Sequence, residues 1–150
     1  MNRWMTGSIH GFKYNIHPVR NRKKLEFYSD DILTFDIEVT SAWLKDGKLI
    51  PYEPGHDAEY WNDMQRYAIP YVWQFSINEK VYYGRTWEEL RIFLTRLNEN
   101  VSDTKYLWIH NLAYEFQFMQ SIVEFSDVMA RKRHKVMTAF MEEFNFIVKC

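Results

Sequence analysis

Asp36 and Glu38 stand one residue apart in the run Ile32-Leu33-Thr34-Phe35-Asp36-Ile37-Glu38-Val39-Thr40. The run is apolar and β-branched, which is the composition of a strand. Alternate residues of a strand share a face. Leu33, Phe35, Ile37 and Val39 then form an apolar face, and Thr34, Asp36, Glu38 and Thr40 form the other. The two carboxylates would have Cα atoms roughly 7 Å apart, within reach of one site. Like charges that close raise each other's pKa unless a cation lies between them. A divalent ion held by hard oxygen donors is the matching chemistry. The pattern D-x-E is short, and on an exposed edge strand it would be an ordinary solvated pair. Its meaning depends on what else converges on it.

A second stretch supplies that convergence: Tyr106-Leu107-Trp108-Ile109-His110-Asn111-Leu112-Ala113-Tyr114-Glu115-Phe116-Gln117-Phe118. Tyr106–Ile109 reads as a short buried strand. Asn111 suits a helix N-cap, and Leu112, Phe116, Met119 and Val123 line one side of the helix that follows. Glu115 falls in the first turn, where the helix dipole favours a carboxylate.

The elements that must position these residues follow from pattern. Phe12, Tyr14 and Ile16 alternate and suggest a short leading strand, followed by the basic cluster Arg20-Asn21-Arg22-Lys23-Lys24. Residues 41–69 have little periodicity and contain Gly47, Pro51, Pro54 and Gly55; they read as a long loop insertion before Pro70. Loops of that length are usually functional or mobile. Tyr60, Trp61 and Tyr67 within it are candidates for stacking or for local packing. Tyr71–Ile77 and Val81–Gly84 read as a hairpin turned at Asn78-Glu79-Lys80. Thr86-Trp87-Glu88-Glu89 is a capping box, and Leu90, Phe93, Leu94 and Leu97 behind it are at helix spacing. After Ser126 the chain reads as two strands, Lys135–Met141 and Phe144–Cys150, turned at Glu142-Glu143. The basic run Arg131-Lys132-Arg133-His134-Lys135 before them is a charged loop or a phosphate contact. Strand, hairpin, helix, strand, helix and further strands define an α/β fold with a mixed central sheet flanked by helices.

The totals bound the rest. A length of 150 residues fits one domain, and 47% hydrophobic and 18% aromatic residues are enough for a core. The formal net charge of −1 gives no global attraction to polyanions, so nucleic-acid binding would need a local patch. The single cysteine, Cys150, excludes an intrachain disulfide and fits a reducing, intracellular, cytoplasmic setting. No apolar run approaches the roughly 18 residues of a membrane span. His10, His17, His56, His110 and His134 lack zinc spacing.

Phe35-Asp36-Ile37-Glu38 resembles the first exonuclease motif, D-x-E, of family-B DNA polymerases, and His110-Asn111-Leu112-Ala113-Tyr114-Glu115 resembles the second, N-x-x-[F/Y]-D. The wording H-N-L-x-[F/Y] is most similar to the protein-primed branch found in bacteriophages and linear plasmids. The resemblance spans residues 30–150, with residues 1–29 as an N-terminal extension. It implies a ribonuclease-H-like exonuclease domain of a DNA-directed DNA polymerase and 3′→5′ proofreading of single-stranded DNA ends during replication. It implies two magnesium or manganese ions about 4 Å apart, held by Asp36, Glu38 and Glu115 as catalytic ligands. It also implies contacts of Asn111, Tyr114 and Phe118 with a single-stranded primer end, with Thr40 as a further contact. A terminal protein and the remainder of the polymerase are the implied partners, in the host cytoplasm for a phage-encoded chain.

The sequence departs from the family pattern in three places. Glu115 stands where the family has Asp. Val39 follows the first-motif Glu where the branch often has Thr, with the hydroxyl one place later at Thr40. The third motif, Y-x-x-x-D, is absent; Asp127 is the one Asp after Glu115 and has no Tyr four residues before it. The chain ends in the apolar run Phe144–Cys150, so the expectation is the N-terminal part of an exonuclease domain, incomplete at its C-terminus and weak or inactive as a nuclease alone. The competing expectations are a non-catalytic ribonuclease-H-like module that binds single-stranded DNA or protein, and an unrelated α/β domain.

Overall fold

The computed structural model describes residues 18–20, 27–29, 31–62, 64–132 and 135–150. The leading strand expected at Phe12–Ile16 and the basic residues 22–24 lie outside them. Pro18–Arg20 (β1) and Phe27–Ser29 (β2) form an antiparallel two-stranded ribbon. The main sheet is built from Leu33–Lys45 (β3), Lys48–Pro51 (β4), Gln65–Ile77 (β5), Lys80–Gly84 (β6), Lys105–Trp108 (β7), Phe125–Lys132 (β8), Lys135–Met141 (β9) and Phe146–Lys149 (β10). The helices are Ala58–Asn62 (α1), Trp87–Asn100 (α2) and Leu112–Met119 (α3), with a 3-10 turn at Glu142–Phe144. Strand order is β6-β5-β3-β7-β10-β9-β8, with β4 on the outer part of β3. β7 runs parallel to β3 and to β10, and the other pairings are antiparallel. The fold is thus α/β around a mixed, open sheet.

Register assigns each residue to a face. Phe35 pairs with Phe75 and Phe75 with Tyr82; Leu107 pairs with Val148, and Val148 with Ala139. These residues are buried. Leu90, Phe93, Leu94 and Leu97 of α2, and Leu112 and Met119 of α3, join them in one core. Phe93 packs its ring against Trp73, Phe75 and Tyr82. The capping box of α2 forms as read: Thr86 Oγ1 accepts from Glu89 N at 3.2 Å, and Glu89 Oε2 accepts from Thr86 N at 3.1 Å. The expected alternation of β3 also holds, with Leu33, Phe35 and Ile37 buried and Thr34, Asp36, Glu38 and Thr40 exposed.

Among the described residues Glu89, Lys105 and Glu115 are the buried charged ones. Lys105 is fully buried, and its Nζ donates to Val101 O at 2.8 Å, Asp103 O at 2.9 Å and Asn98 Oδ1 at 3.1 Å. It thereby satisfies oxygens at and beyond the C-terminal end of α2 that the helix leaves without partners. Burial pushes its ammonium pKa down to about 8, opposed by the charge of Asp103.

The structure corrects three readings. Residues 41–69 are an extended β-arm with a short helix and not a loop. β3 and β4 are joined through Asp46 and Gly47, both at positive φ (49° and 75°), the geometry of a tight hairpin turn for which Asp-Gly is the characteristic sequence. Pro70 sits inside β5 at a register shift, where the missing N–H is tolerated. The C-terminal part holds three strands and not two. β8 is an edge strand whose residues from Asp127 to Lys132 are exposed, so it carries no apolar alternation to reveal it. Finally, Tyr106–Ile109 is not buried throughout: Leu107 and Ile109 face the core, while Trp108 is 45% exposed on the opposite face. Among the described residues no helix is long and apolar enough to cross a membrane.

Candidate functional site

β3 outruns its parallel neighbour. Its one pairing with β7 is Thr34 opposite Trp108, and after Trp108 the chain turns into α3. The space beside Asp36 is therefore filled by the first turn of a helix and not by a strand. Ile109 N donates to Lys149 O at 2.8 Å, which fixes the exit from β7. Asn111 O then accepts from Tyr114 N at 2.8 Å and Glu115 N at 3.1 Å, which closes the first turn. Asn111 occupies the N-cap position as expected, but its side chain makes no capping bond and is exposed.

This turn delivers Glu115 to Asp36 across 79 residues of chain. Glu115 is 3% exposed, and its carboxyl group hydrogen-bonds that of Asp36. Burial is the main force on it, followed by the hydrogen bond to Asp36 and the charge there; together they push the Glu115 pKa up to about 7. The backbone N–H groups of Glu115 and Ile37 act in the opposite sense by favouring the anion. Glu115 Oε2 is buried and has no hydrogen-bond partner. A carboxyl pair in contact holds one proton comfortably and two negative charges poorly. Replacing that proton by a cation would satisfy both the second charge and the orphaned oxygen. The donors are hard oxygens, so the residues present suit magnesium or manganese better than zinc.

Glu38 lies on the same strand face as Asp36 and is exposed. Among the described residues, no three Asp, Glu, His or Cys side chains gather closely enough to cage an ion. The structure thus unites Asp36 with Glu115 and leaves Glu38 at the margin. Asn111, Tyr114, Glu115 and Phe118 form one stripe of α3 by their spacing, and the Tyr114 and Phe118 rings meet edge-on at 5.2 Å. Three of the four candidate DNA contacts therefore accompany Glu115. Thr40 is exposed on β3 beyond the register shift at Glu38/Val39, and nothing draws it toward Asp36.

Other candidates take different places. Trp61 packs against Trp43, Tyr52 and Tyr60 with ring centroids 4.6, 5.5 and 4.9 Å away, so it belongs to a small core within the β-arm. Arg131, Lys132 and Lys135 are exposed where β8 and β9 meet; residues 133 and 134 lie outside the described part. One group escaped the sequence reading. Lys149 Nζ lies 4.4 Å from the ring of Tyr106 and 5.8 Å from that of Trp108, the residue it pairs with and which stands opposite Thr34. The signal for it was the alternation of aromatic and aliphatic residues in Tyr106-Leu107-Trp108-Ile109.

Compared with protein-family models, with curated proteins and with solved structures, the chain matches none.

Proposed function

We propose that the chain carries the first two motifs of the 3′→5′ exonuclease domain of a family-B DNA polymerase of the protein-primed type, with a ribonuclease-H-like fold. The observation that carries the reading is the meeting of Asp36 and Glu115, from the two stretches that resemble the first and second exonuclease motifs, with an unpartnered buried oxygen between strand and helix. A mixed sheet in which a hairpin precedes the helix and parallel strand leading to that site is compatible with the fold.

In this reading Asp36 and Glu115 would hold a divalent cation, with Glu38, on the same strand face as Asp36, as the further ligand the resemblance implies. The cation chemistry is activation of the attacking water and stabilisation of the leaving 3′ oxygen. Asn111, Tyr114 and Phe118 orient the single-stranded end, the aromatic rings by stacking that tolerates any base. Because Glu115 would have to be deprotonated to hold a cation, binding would tighten with rising pH through about 7. The site has no third-motif carboxylate, which makes the chain alone a weak nuclease or none.

Manganese titration followed by calorimetry tests the reading. Binding is expected to be tighter at pH 8 than at pH 6 and to be lost in Asp36→Ala and in Glu115→Gln. Equal binding by the parent and Asp36→Ala would remove the metal site. Metal-independent binding of a single-stranded oligonucleotide, unaffected by Asp36→Ala, would favour the non-catalytic binding module instead.

A further inference from the structure

On the side of β3 away from α3, β5 carries a β-bulge. Glu38 pairs with Val72 and Val39 with Pro70, which leaves Tyr71 without a partner on β3. Bulges next to active sites re-aim a side chain, and Tyr71 is 44% exposed. The outer edge of β5 is open at the same level, because β6 pairs only with Trp73–Ile77. Beyond the end of β6 lies a pocket of about 240 Å³ lined by Pro70, Val72, Trp73, Arg85, Thr86 and Trp87. Its shape depends on Gly84, where any Cβ would collide with the Trp73 indole. Trp73 Nε1 donates to Thr86 O at 2.9 Å, which fixes one wall.

The pocket's chemistry is specific. It falls below the roughly 300–1,000 Å³ of sites for drug-sized ligands, so it has room for one ring system. Its walls are indole and aliphatic surface. Arg85 is exposed, and among the described residues its guanidinium has no carboxylate within ion-pair distance. The nearby Glu89 carboxylate is occupied by the backbone N–H groups of Arg85 and Thr86. One strand away, opposite Val72, stands Glu38. A flat ring beside a phosphate is the ligand class that matches an aromatic wall with a free guanidinium.

We propose that this pocket is a nucleotide subsite: it takes one base of the strand, with Arg85 on a phosphate and Trp87 against the base or sugar. The proposal rests on the exonuclease reading for the strand's presence, but its binding step needs no metal. The test is calorimetric titration of the full chain with thymidine 5′-monophosphate, thymidine and inorganic phosphate, each in the presence of chelator. The monophosphate is expected to bind more tightly than either part. Arg85→Ala is expected to weaken it about tenfold, the scale of one lost charge-assisted hydrogen bond. Trp87→Ala is expected to weaken it severalfold. Arg85→Lys guards against a folding artefact, since it keeps the charge and loses the bidentate geometry; an intermediate affinity is expected. No binding of the monophosphate, equal binding of phosphate alone, or indifference to Arg85→Ala overturns the subsite. Absence of manganese binding by the parent chain, with its monophosphate binding intact, would sink the metal reading and leave the subsite standing.

Discussion

Phe35 and Asp36 are neighbours in one strand, yet they belong to different worlds. On the Phe35 side, Phe75, Tyr82, Leu107 and Val148 follow across the sheet by register, and α2 and α3 close over them. On the Asp36 side, the same strands present Gln74, Tyr83, Thr34, Trp108 and Lys149, which are exposed or half-buried. The first face is held by apolar burial, which is non-directional and tolerant of which apolar residue supplies it. The second is held by pairings between particular side chains: Thr34 with Ser76, Lys149 over Tyr106, Asp36 with Glu115. The first face therefore bears the fold, and the second is free to carry chemistry.

The sharpest test of that division is a large-to-small change on the covered side. Phe75 is fully buried between Phe93 and Phe146, with centroids 5.0 and 6.2 Å away. Phe75→Ala is expected to lower unfolding free energy by about 3–5 kcal/mol, read from urea melts at fixed pH. A loss below about 1 kcal/mol would mean the covered face is not where stability resides.

The second test uses pH. The Glu115 pKa rises from 4.5 to about 7 on folding, so the folded chain binds the proton more tightly than the unfolded one. Its stabilising share is complete below about pH 4.5 and is lost as pH rises through 7. The full effect is at most about 3 kcal/mol. Glu115→Gln removes the titrating group and is expected to flatten that part of the profile, gaining stability over the parent at pH 8. Manganese should restore the parent at pH 8 and leave the Gln variant unmoved. A parent whose stability rises between pH 5 and pH 8 while the Gln variant's does not would contradict the assignment.

How far these faces were legible in the sequence depended on which signal each element carries. The period-2 alternation of Leu33–Val39 and the helix spacing of Leu90–Leu97 reflect burial on one side, and they placed β3 and α2 correctly. The Asp36–Glu115 meeting was legible only through two motifs in the right order, because neither carboxylate alone distinguishes a site from a solvated surface. The β-arm was missed because its strands pack on a local aromatic cluster and follow no long alternation; Asp46-Gly47 was the available clue. β8 was missed because an edge strand buries neither face. The pocket near Arg85 arises from where β6 stops, which is a tertiary fact with no local pattern behind it.

Lys105 is a fully buried charge on the covered face, and it sets a third test. Lys105→Met retains most of the apolar stem but removes the donor to Asn98, Val101 and Asp103. The expected loss is about 1–3 kcal/mol, the cost of leaving buried acceptors unmatched. A neutral or stabilising result would show that water reaches those oxygens and that the buried ammonium was tolerated and not required.

The smallest expected effect is the most informative about the open face. Trp108 is large, aromatic and central, but 45% of it remains exposed, and the Lys149 ammonium lies 5.8 Å from its ring. A cation–π contact at an exposed site contributes about 0.5–1 kcal/mol. Trp108→Ala is therefore expected to cost no more than about 1 kcal/mol, several times less than Phe75→Ala two strands away. If urea melts give a loss comparable to that of Phe75→Ala, Trp108 is part of a second core and the open face is structural. If the loss is small, as its exposure implies, a tryptophan two residues in register from Asp36 is spare to the fold, and Trp108→Ala should then weaken single-stranded oligonucleotide binding more than it weakens the fold.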